Sequence, residues 1–336
     1  MAKLKVFITR KIPDAGINLL KRKFIVKIYP KDNAIPRKEL EKGVKWCDAL
    51  LSLLTEKIDS KLMDLNKNLK IISNYAVGFD NVDIKAANER RIPVTNTPDV
   101  LTHAVSEHTI ALLMSITRRI PESDNFTREG KYKAWSPMLF LGSGLRDKTL
   151  GVVGLGRIGS NVARIAIKGF GMKVIYNKKH RDKGFEKKYN AKFVSLSSLM
   201  KKSDFISLHT PLNKSTRHLI GKKQLGMMKK TAYLINTSRG PIIDEKALVK
   251  VLRKKKIKGA ALDVFEKEPK LSPGMSKLNN IVLTPHIASG TIEARSAMAV
   301  LAANGIIDAS KGKIPVNIVN KEILGSKENK IIKLLF

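Results

Sequence analysis

The sequence predicts an α/β protein made of two doubly wound parallel sheets. Short apolar, β-rich segments alternate with helical ones along almost the whole chain, the pattern of parallel strands joined by crossover helices. The alternation comes in two series, one before about residue 99 and one after about residue 148, so two sheets are expected. A glycine-rich turn sits between the first strand and first helix of the second series, where a nucleotide-binding fold places it.

In the first series, strands are expected at Lys5 to Thr9, Ala49 to Leu53 and Lys70 to Ser73, with helices between them. In the second they are expected at Thr149 to Val153, Lys173 to Tyr176, Phe205 to Leu208, Ala232 to Ile235, Gly259 to Leu262 and Ile281 to Leu283. Val100 to Ile120 has apolar residues at helical spacing and stops before Pro121, which predicts one long helix leading into the second sheet. Ile287 to Lys311 is alanine-rich and helical in pattern. If it returns to the first sheet, the first domain is discontinuous. The expected division is then 1–99 with 288–319 as a flavodoxin-like substrate domain, and 100–287 as an inserted Rossmann-type nucleotide domain. The crossings near residues 99 and 287 would act as a hinge over a cleft. Residues 320–336 read as a weakly anchored tail.

The 336 residues and an apolar fraction of 43% are enough for two real cores. Cys47 is the one cysteine, so no internal disulfide can form, which fits a reducing compartment. The N-terminus lacks the apolar core of a signal peptide, and no run reaches the roughly 18 apolar residues of a membrane span. A cytoplasmic protein with no membrane role is expected. Lysine and arginine number 64 against 29 acids, a net charge of +35. The lysines are scattered, with no basic tail, so contact with nucleic acid is expected only non-specifically, through charge.

The turn contains G-x-G-x-x-G at Gly154, Gly156 and Gly159. Alone the pattern is weak. Here it follows an apolar strand and opens a helical run, Ser160 to Ile167, with another strand beyond. Gly154 permits the tight turn, Gly156 lets backbone approach a pyrophosphate, and Gly159 allows helix and strand to pack closely. The helix start adds amides and a positive dipole end. An NAD-binding fold places an acid about 20 residues beyond the glycines, to accept from the ribose hydroxyls. Here Asn177, Lys178, Lys179, His180 and Arg181 occupy that stretch, Lys178 lies 19 positions after Gly159, and no acid occurs before Asp182. NADP(H) is therefore the expected cofactor, with NAD(H) possible. No metal site is expected.

Three candidates for chemistry follow strands. Arg239 lies in Asn236-Thr-Ser-Arg-Gly-Pro241, Glu268 in Leu262-Asp-Val-Phe-Glu-Lys-Glu-Pro269, and His286 in Thr284-Pro-His-Ile-Ala-Ser289. Arginine suits a carboxylate because its planar fork pairs with both oxygens. Histidine suits proton transfer near neutral pH, and a carboxylate beside it favours its charged form. In open α/β sheets ligands bind outside the carboxyl ends of strands, so the three would face one crevice. Each also has a plain alternative: a surface Arg or Glu, or a structural His.

These motifs, with Asn74-Tyr-Ala-Val-Gly-Phe-Asp-Asn-Val-Asp83, resemble the D-isomer-specific 2-hydroxyacid dehydrogenase family, and most nearly its archaeal-type glyoxylate and hydroxypyruvate reductases. The likeness runs from Val6-Phe-Ile-Thr-Arg10 to Val316-Asn-Ile-Val319. It implies that the chain reduces a small 2-oxo acid with NAD(P)H, that Arg239 binds the substrate carboxylate, and that His286 is the acid/base with Glu268 as its partner. It implies substrate contacts from Leu54, from the amides of Val77 and Gly78, from Ser289, and from Trp135 reaching out of a partner subunit in a homodimer. The implied cofactor set is Gly154, Leu155, Gly156, Arg157, Ile158, Gly159, Lys178, Lys179, His180, Thr210, Pro211, Thr237, Ser238, Ile287 and Ala288, with Asp263 bonding the nicotinamide carboxamide.

Two features depart from the family. Gly130 to Asp147 is a few residues shorter than expected, and the charge of +35 is far more basic. Other readings stay open. A phosphoglycerate-type enzyme often carries a regulatory domain, for which the 17 residues after Val319 leave no room. A phosphite-type dehydrogenase and a cofactor-sensing, corepressor-like binding protein remain. A formate-type enzyme would have Gln where Glu268 stands.

Overall fold

The computed structural model describes residues 3–324. The chain divides into two compact units. One runs to Leu101 and resumes at Gly290, and the other is Thr102–Ser289.

The first unit is a five-stranded parallel sheet. Its strands are β1 (Lys5–Ile8), β2 (Ile25–Ile28), β3 (Ala49–Ser52), β4 (Ile71–Asn74) and β5 (Val94–Thr95), in the order β2-β1-β3-β4-β5. That is the flavodoxin-like order. Helices α1 (Asp14–Lys21), α2 (Arg37–Trp46), α3 (Ser60–Met63) and α4 (Ile84–Glu89) make the crossovers. The sequence marks their starts: Pro36 precedes α2, while Asp59 and Asp83 accept the backbone N–H of Leu62 and Ala86, 3.0 Å each. Central strands β3 and β4 are buried at every residue, as a sheet covered on both faces requires. The helix Ile292–Ser310, with Thr291 capping the N–H of Ala294 at 3.1 Å, packs on α1. It starts five residues later than the pattern suggested, because the stretch from Ile287 is a loop. The turn Lys321–Leu324 buries Ile323 and Leu324 beside Ile318, and Asn320 is buried with its amide on Asn88 and the Ile92 carbonyl. The expected loose tail therefore does not begin at residue 320, and residues 325–336 lie outside the described residues.

The second unit holds seven parallel strands: β6 (Thr149–Val153), β7 (Lys173–Asn177), β8 (Lys192–Phe193), β9 (Phe205–Leu208), β10 (Tyr233–Asn236), β11 (Gly259–Leu262) and β12 (Ile281–Leu283). Their order is β12-β11-β10-β9-β6-β7-β8, which reverses direction of travel at β6, as in a Rossmann sheet. The predicted single helix before it is two. Helix α5 spans Thr102–Thr117 and α6 spans Ile120–Arg128. Arg119 sits between them at φ 57, a left-handed residue that breaks the hydrogen-bond ladder. Pro121 then serves in the first turn of α6, where its missing N–H costs nothing. Helices α7 (Arg157–Phe170), α8 (Lys183–Tyr189), α9 (Leu196–Lys202), α10 (Lys222–Met227) and α11 (Glu245–Arg253) complete the unit. Gly171 ends α7 at φ 62. Two cores flank the sheet, one around Leu208, Leu234 and Leu248, the other around Leu113, Val152 and Tyr176.

Among the described residues no helix is long and apolar enough to cross a membrane.

The contact between α1 and the Ile292–Ser310 helix depends on Gly16, where an added Cβ would run into the carbonyl oxygen of Ala299 and lie 2.8 Å from its Cβ. Alanine would gain about 1 kcal/mol of helix propensity, whereas overpacking costs about 1–3 kcal/mol. Gly16→Ala should therefore lower the melting temperature followed by circular dichroism. An unchanged or higher value would mean that the helices separate freely.

Candidate functional site

The functional loops of the second unit leave one edge of its sheet at the same level. Val153 pairs with Leu208, Leu208 with Asn236, Asn236 with Leu262, and Leu262 with Leu283, each the last residue of its strand. The ladder continues one step into the loops, where Asp263 N–H donates to the Asn236 carbonyl and Thr284 N–H to that of Leu262, both at 3.0 Å. Consecutive parallel strands thus bring Arg239, Glu268 and His286 to a common edge.

The β6–α7 turn fits a dinucleotide. Gly154 has φ 95, and a Cβ there would lie 2.7 Å from the His209 carbonyl oxygen. A Cβ on Gly159 would strike the Gly154 carbonyl oxygen. At Gly156, which caps α7, a Cβ would meet nothing within 4 Å. Two of the three glycines are thus required by the turn's own packing, and the third faces open space in front of a helix N-terminus. The hydroxyl of Thr210, beside Gly154, is buried without a hydrogen-bond partner among the described residues. An open glycine, a helix N-terminus and a buried hydroxyl with no partner among the described residues are what a bound pyrophosphate would use. Leu155 is buried, and Arg157 and Ile158 begin α7. Pro211 follows Thr210 in the β9 loop.

At the end of β7 the loop is clamped. The Tyr176 hydroxyl accepts from Asp182 N–H at 2.8 Å and donates to Glu186 at 2.6 Å. Arg181 forks onto the same carboxylate at 2.6 and 2.8 Å. The Arg181 fork, with the tyrosine, holds the Glu186 carboxyl down to about 2. Lys178 lies 3.8 Å from Asp182, while Lys179 and His180 are exposed.

The β10 loop is stapled by Asn236. Its Oδ1 accepts from Ser238 N–H at 3.0 Å and from the Ser238 hydroxyl at 2.8 Å, and its Nδ2 donates to the Arg239 carbonyl at 2.9 Å. The β11 loop follows closely behind, since a Cβ on Gly240 would overlap the Phe265 carbonyl. Buried Glu245 of α11 accepts from Glu266 N–H at 2.6 Å and from the Ser272 hydroxyl at 2.7 Å, holding the loop that carries Glu268.

Glu268 Oε2 is 2.9 Å from His286 Nδ1, and Oε1 accepts from Phe265 N–H at 3.0 Å. Burial by itself would raise the Glu268 carboxyl, but the His286 ring, the Phe265 amide and the charge of Arg239 outweigh it and hold it below the usual carboxylate range. A carboxylate at that distance fixes Nδ1 as a donor and leaves Nε2 as the ring's other polar atom.

Asp263 is fully buried. Its Oδ1 accepts from the Thr284 hydroxyl at 2.6 Å and from Ile287 N–H at 2.8 Å, and its Oδ2 from Ala288 N–H at 2.8 Å. Burial works against the charge, but these donors and His108 keep the carboxyl low. The loop closes around this anion so tightly that His286 has φ 55. His108, His209 and Glu245 were not singled out from sequence. His209 follows β9, bonds the Ser207 hydroxyl at 2.8 Å, and is pushed down by desolvation to about 4. Its place at a strand end before Thr-Pro is the one signal it carried. Of the remaining expected residues, Thr237 bonds Thr109 at 2.8 Å, Trp135 is 78% exposed, and Leu54, Val77 and Gly78 belong to the first unit. Among the described residues no cluster of His, Cys, Asp and Glu is arranged to hold a metal.

Comparison with known proteins agrees with this architecture. Residues 110–288 match the model of the D-isomer specific 2-hydroxyacid dehydrogenase NAD binding domain. A protein of Thermococcus litoralis named glyoxylate reductase is 49% identical over 96% of this chain and 99% of its own. The crystal structure of a glyoxylate reductase from Paecilomyes thermophila superposes with a TM-score of 0.85 at 32% identity, covering 96% of this chain and all of that one. The NADPH-dependent glyoxylate/hydroxypyruvate reductase of Sinorhizobium meliloti, solved with NADP and malonate, gives 0.82 at 28% identity, covering 95% and 97%. With a matched NAD-binding domain and relatives alike along their full length, this chain belongs to the D-isomer-specific 2-hydroxyacid dehydrogenase family of oxidoreductases.

Proposed function

We propose that the protein reduces glyoxylate, and hydroxypyruvate as a related 2-oxo acid, to the 2-hydroxy acid. The observation that carries this reading is the His286–Glu268 pair at 2.9 Å, on loops level with the one that bears Arg239. The nicotinamide, when bound, supplies the hydride. The Arg239 fork binds the substrate carboxylate in two places and draws electron density from the neighbouring carbonyl. His286 holds a proton on Nε2 for the carbonyl oxygen, and the Glu268 carboxylate at Nδ1 orients the ring and favours its charged form. Leu54, the amides of Val77 and Gly78, Ser289 and Trp135 are the proposed substrate contacts. The names of the relatives support the choice of substrate.

With glyoxylate, His286→Ala should lower kcat by about 10²–10⁴-fold, the usual contribution of a positioned proton donor. Arg239→Lys keeps the charge but loses the fork, and should fall mainly in kcat/KM. Near-normal turnover in the His286 variant would remove the assignment.

NADPH is the proposed preferred cofactor. Lys178 stands where an NAD enzyme has its carboxylate, and the Sinorhizobium meliloti relative is NADPH-dependent. Lys178→Asp should shift the kcat/KM ratio toward NADH, while a native preference for NADH that the substitution leaves alone would refute the role of Lys178.

A homodimer is also proposed. Residues 130–147 hold Trp135, Met138 and Leu141 at 78%, 73% and 55% exposed, beside Ile120 at 52%. Apolar side chains so clustered in sequence and so exposed support this reading. Light scattering should give twice the chain mass, and Trp135→Asp with Met138→Asp should halve it; a fully active native monomer would contradict the proposal.

A further inference from the structure

His108, on α5, lies 176 positions before Thr284 and 178 before His286, yet its ring meets the loop that carries His286. Nε2 is 3.1 Å from Thr284 Oγ1 and 3.4 Å from Asp263 Oδ1. The direction of these contacts follows from counting protons. The Thr284 hydroxyl has one hydrogen, and it goes to Asp263 Oδ1 at 2.6 Å. Thr284 can then only accept from the ring, and the carboxylate can only accept, so His108 donates from Nε2. The next residue of α5 repeats the pattern. The Thr109 hydroxyl gives its hydrogen to the Val105 carbonyl at 2.7 Å, so it accepts from Thr237, in the loop that bears Arg239, at 2.8 Å. One face of α5 thus meets the loops of both Arg239 and His286.

We propose that His108 is a positioning residue for the reaction. It donates into the Thr284–Asp263 pair and so fixes the left-handed loop that aims His286. The reason it matters is the conformation at His286, φ 55, which is unfavourable for a side-chain-bearing residue and is held here by specific partners. Asp263 imposes it by accepting the N–H groups of Ile287 and Ala288 at 2.8 Å each. His108 and Thr284 hold that carboxylate from the other side. Without the His108 donor, the Thr284–Asp263 pair loses its support on that side, and the loop, still held left-handed by the bonds from Ile287 and Ala288, can shift with it. The His286 ring then moves relative to the carbonyl it serves, and a misplacement of about 1 Å can cost about 10²-fold in rate.

This inference rests on His286 as the acid/base, so His286→Ala is measured alongside. His108→Leu removes the donor at similar size, and His108→Gln restores one. With glyoxylate and NADPH, His108→Leu should lower kcat about ten- to a hundredfold. The KM for glyoxylate should change less than about threefold, because Arg239 still holds the carboxylate. His108→Gln should recover most of the rate. NADPH affinity, read by fluorescence, should stay within a few-fold. Thr284→Val cuts the same link from the other side, and its loss should not add to that of His108→Leu. It also serves as the test if His108→Leu does not fold. If His286→Ala is inactive but His108→Leu turns over normally, or if the two losses add, His108 does not position the loop. If His286→Ala itself stays active, the failure lies in the acid/base assignment.

Discussion

The Asp263 carboxylate is the interaction on which the rest of the site depends. Withdrawing a charge from water costs several kcal/mol unless the protein supplies its hydrogen bonds. Here Thr284, Ile287 and Ala288 supply three at 2.6–2.8 Å. Hydrogen bonds to a charged group are worth about 1.5–3 kcal/mol each, so together they outweigh the about 1–2 kcal/mol that one left-handed residue costs. That inequality explains why His286 sits at φ 55 without a glycine's freedom. The same groups that make burial of Asp263 tolerable shape the loop that presents the imidazole. Burial of Asp263 and placement of the His286 ring are one property here.

Asp263 is itself placed by the sheet. It is the first residue beyond β11, and its N–H continues the ladder onto the Asn236 carbonyl. Parallel strands in register deliver residues far apart in sequence to one edge, and the loops then need only short supports. Asn236 staples its own turn, Glu245 holds the loop with Glu268, and Gly240 lets two loops approach without a side chain between them. Asn236 and Glu245 act through hydrogen bonds made at the sheet edge, where a low dielectric keeps their geometry tight.

Most of this was legible in the sequence wherever the signal was local. Gly259 to Leu262 and Ile281 to Leu283 are continuous apolar runs, Phe205 to Leu208 is apolar but for Ser207, and all three are strands to the residue. Strands β2, β5 and β8 were not read. Ile25–Ile28 alternates exposed and half-buried residues around Lys27, Lys192–Phe193 is exposed throughout, and Val94–Thr95 is two residues long. Edge and very short strands lack the buried run that announces a strand. The break between α5 and α6 was missed because no glycine marks it: Arg119 takes the left-handed conformation. Arg239, Glu268 and His286 were readable because each follows a strand that was readable. His108 was not, since its partners are set by which face of α5 meets the sheet edge. Asp263 was read only as a cofactor contact, whereas its near neighbours in space are the loop amides.

The cofactor loop shows why charge alone is a poor guide in a chain with a net charge of +35. Three cations and a histidine lie between Tyr176 and Asp182, and by count they are equivalent. In the structure they differ. Arg181 has its fork on Glu186, whose carboxyl is held down to about 2, so that guanidinium stays engaged at any ordinary pH. Lys178 has Asp182 at 3.8 Å, an open pairing that water and salt weaken. Tyr176 is the reason the two behave differently. Its buried ring fixes the hydroxyl that bonds both Asp182 and Glu186, and so sets the path of the loop between them. A lysine on a loop held at both ends has few conformations to lose when it meets a phosphate, whereas one on the surrounding surface has many. The NADPH preference proposed for this protein therefore turns on which cations the fold restrains, and much less on how many the chain carries.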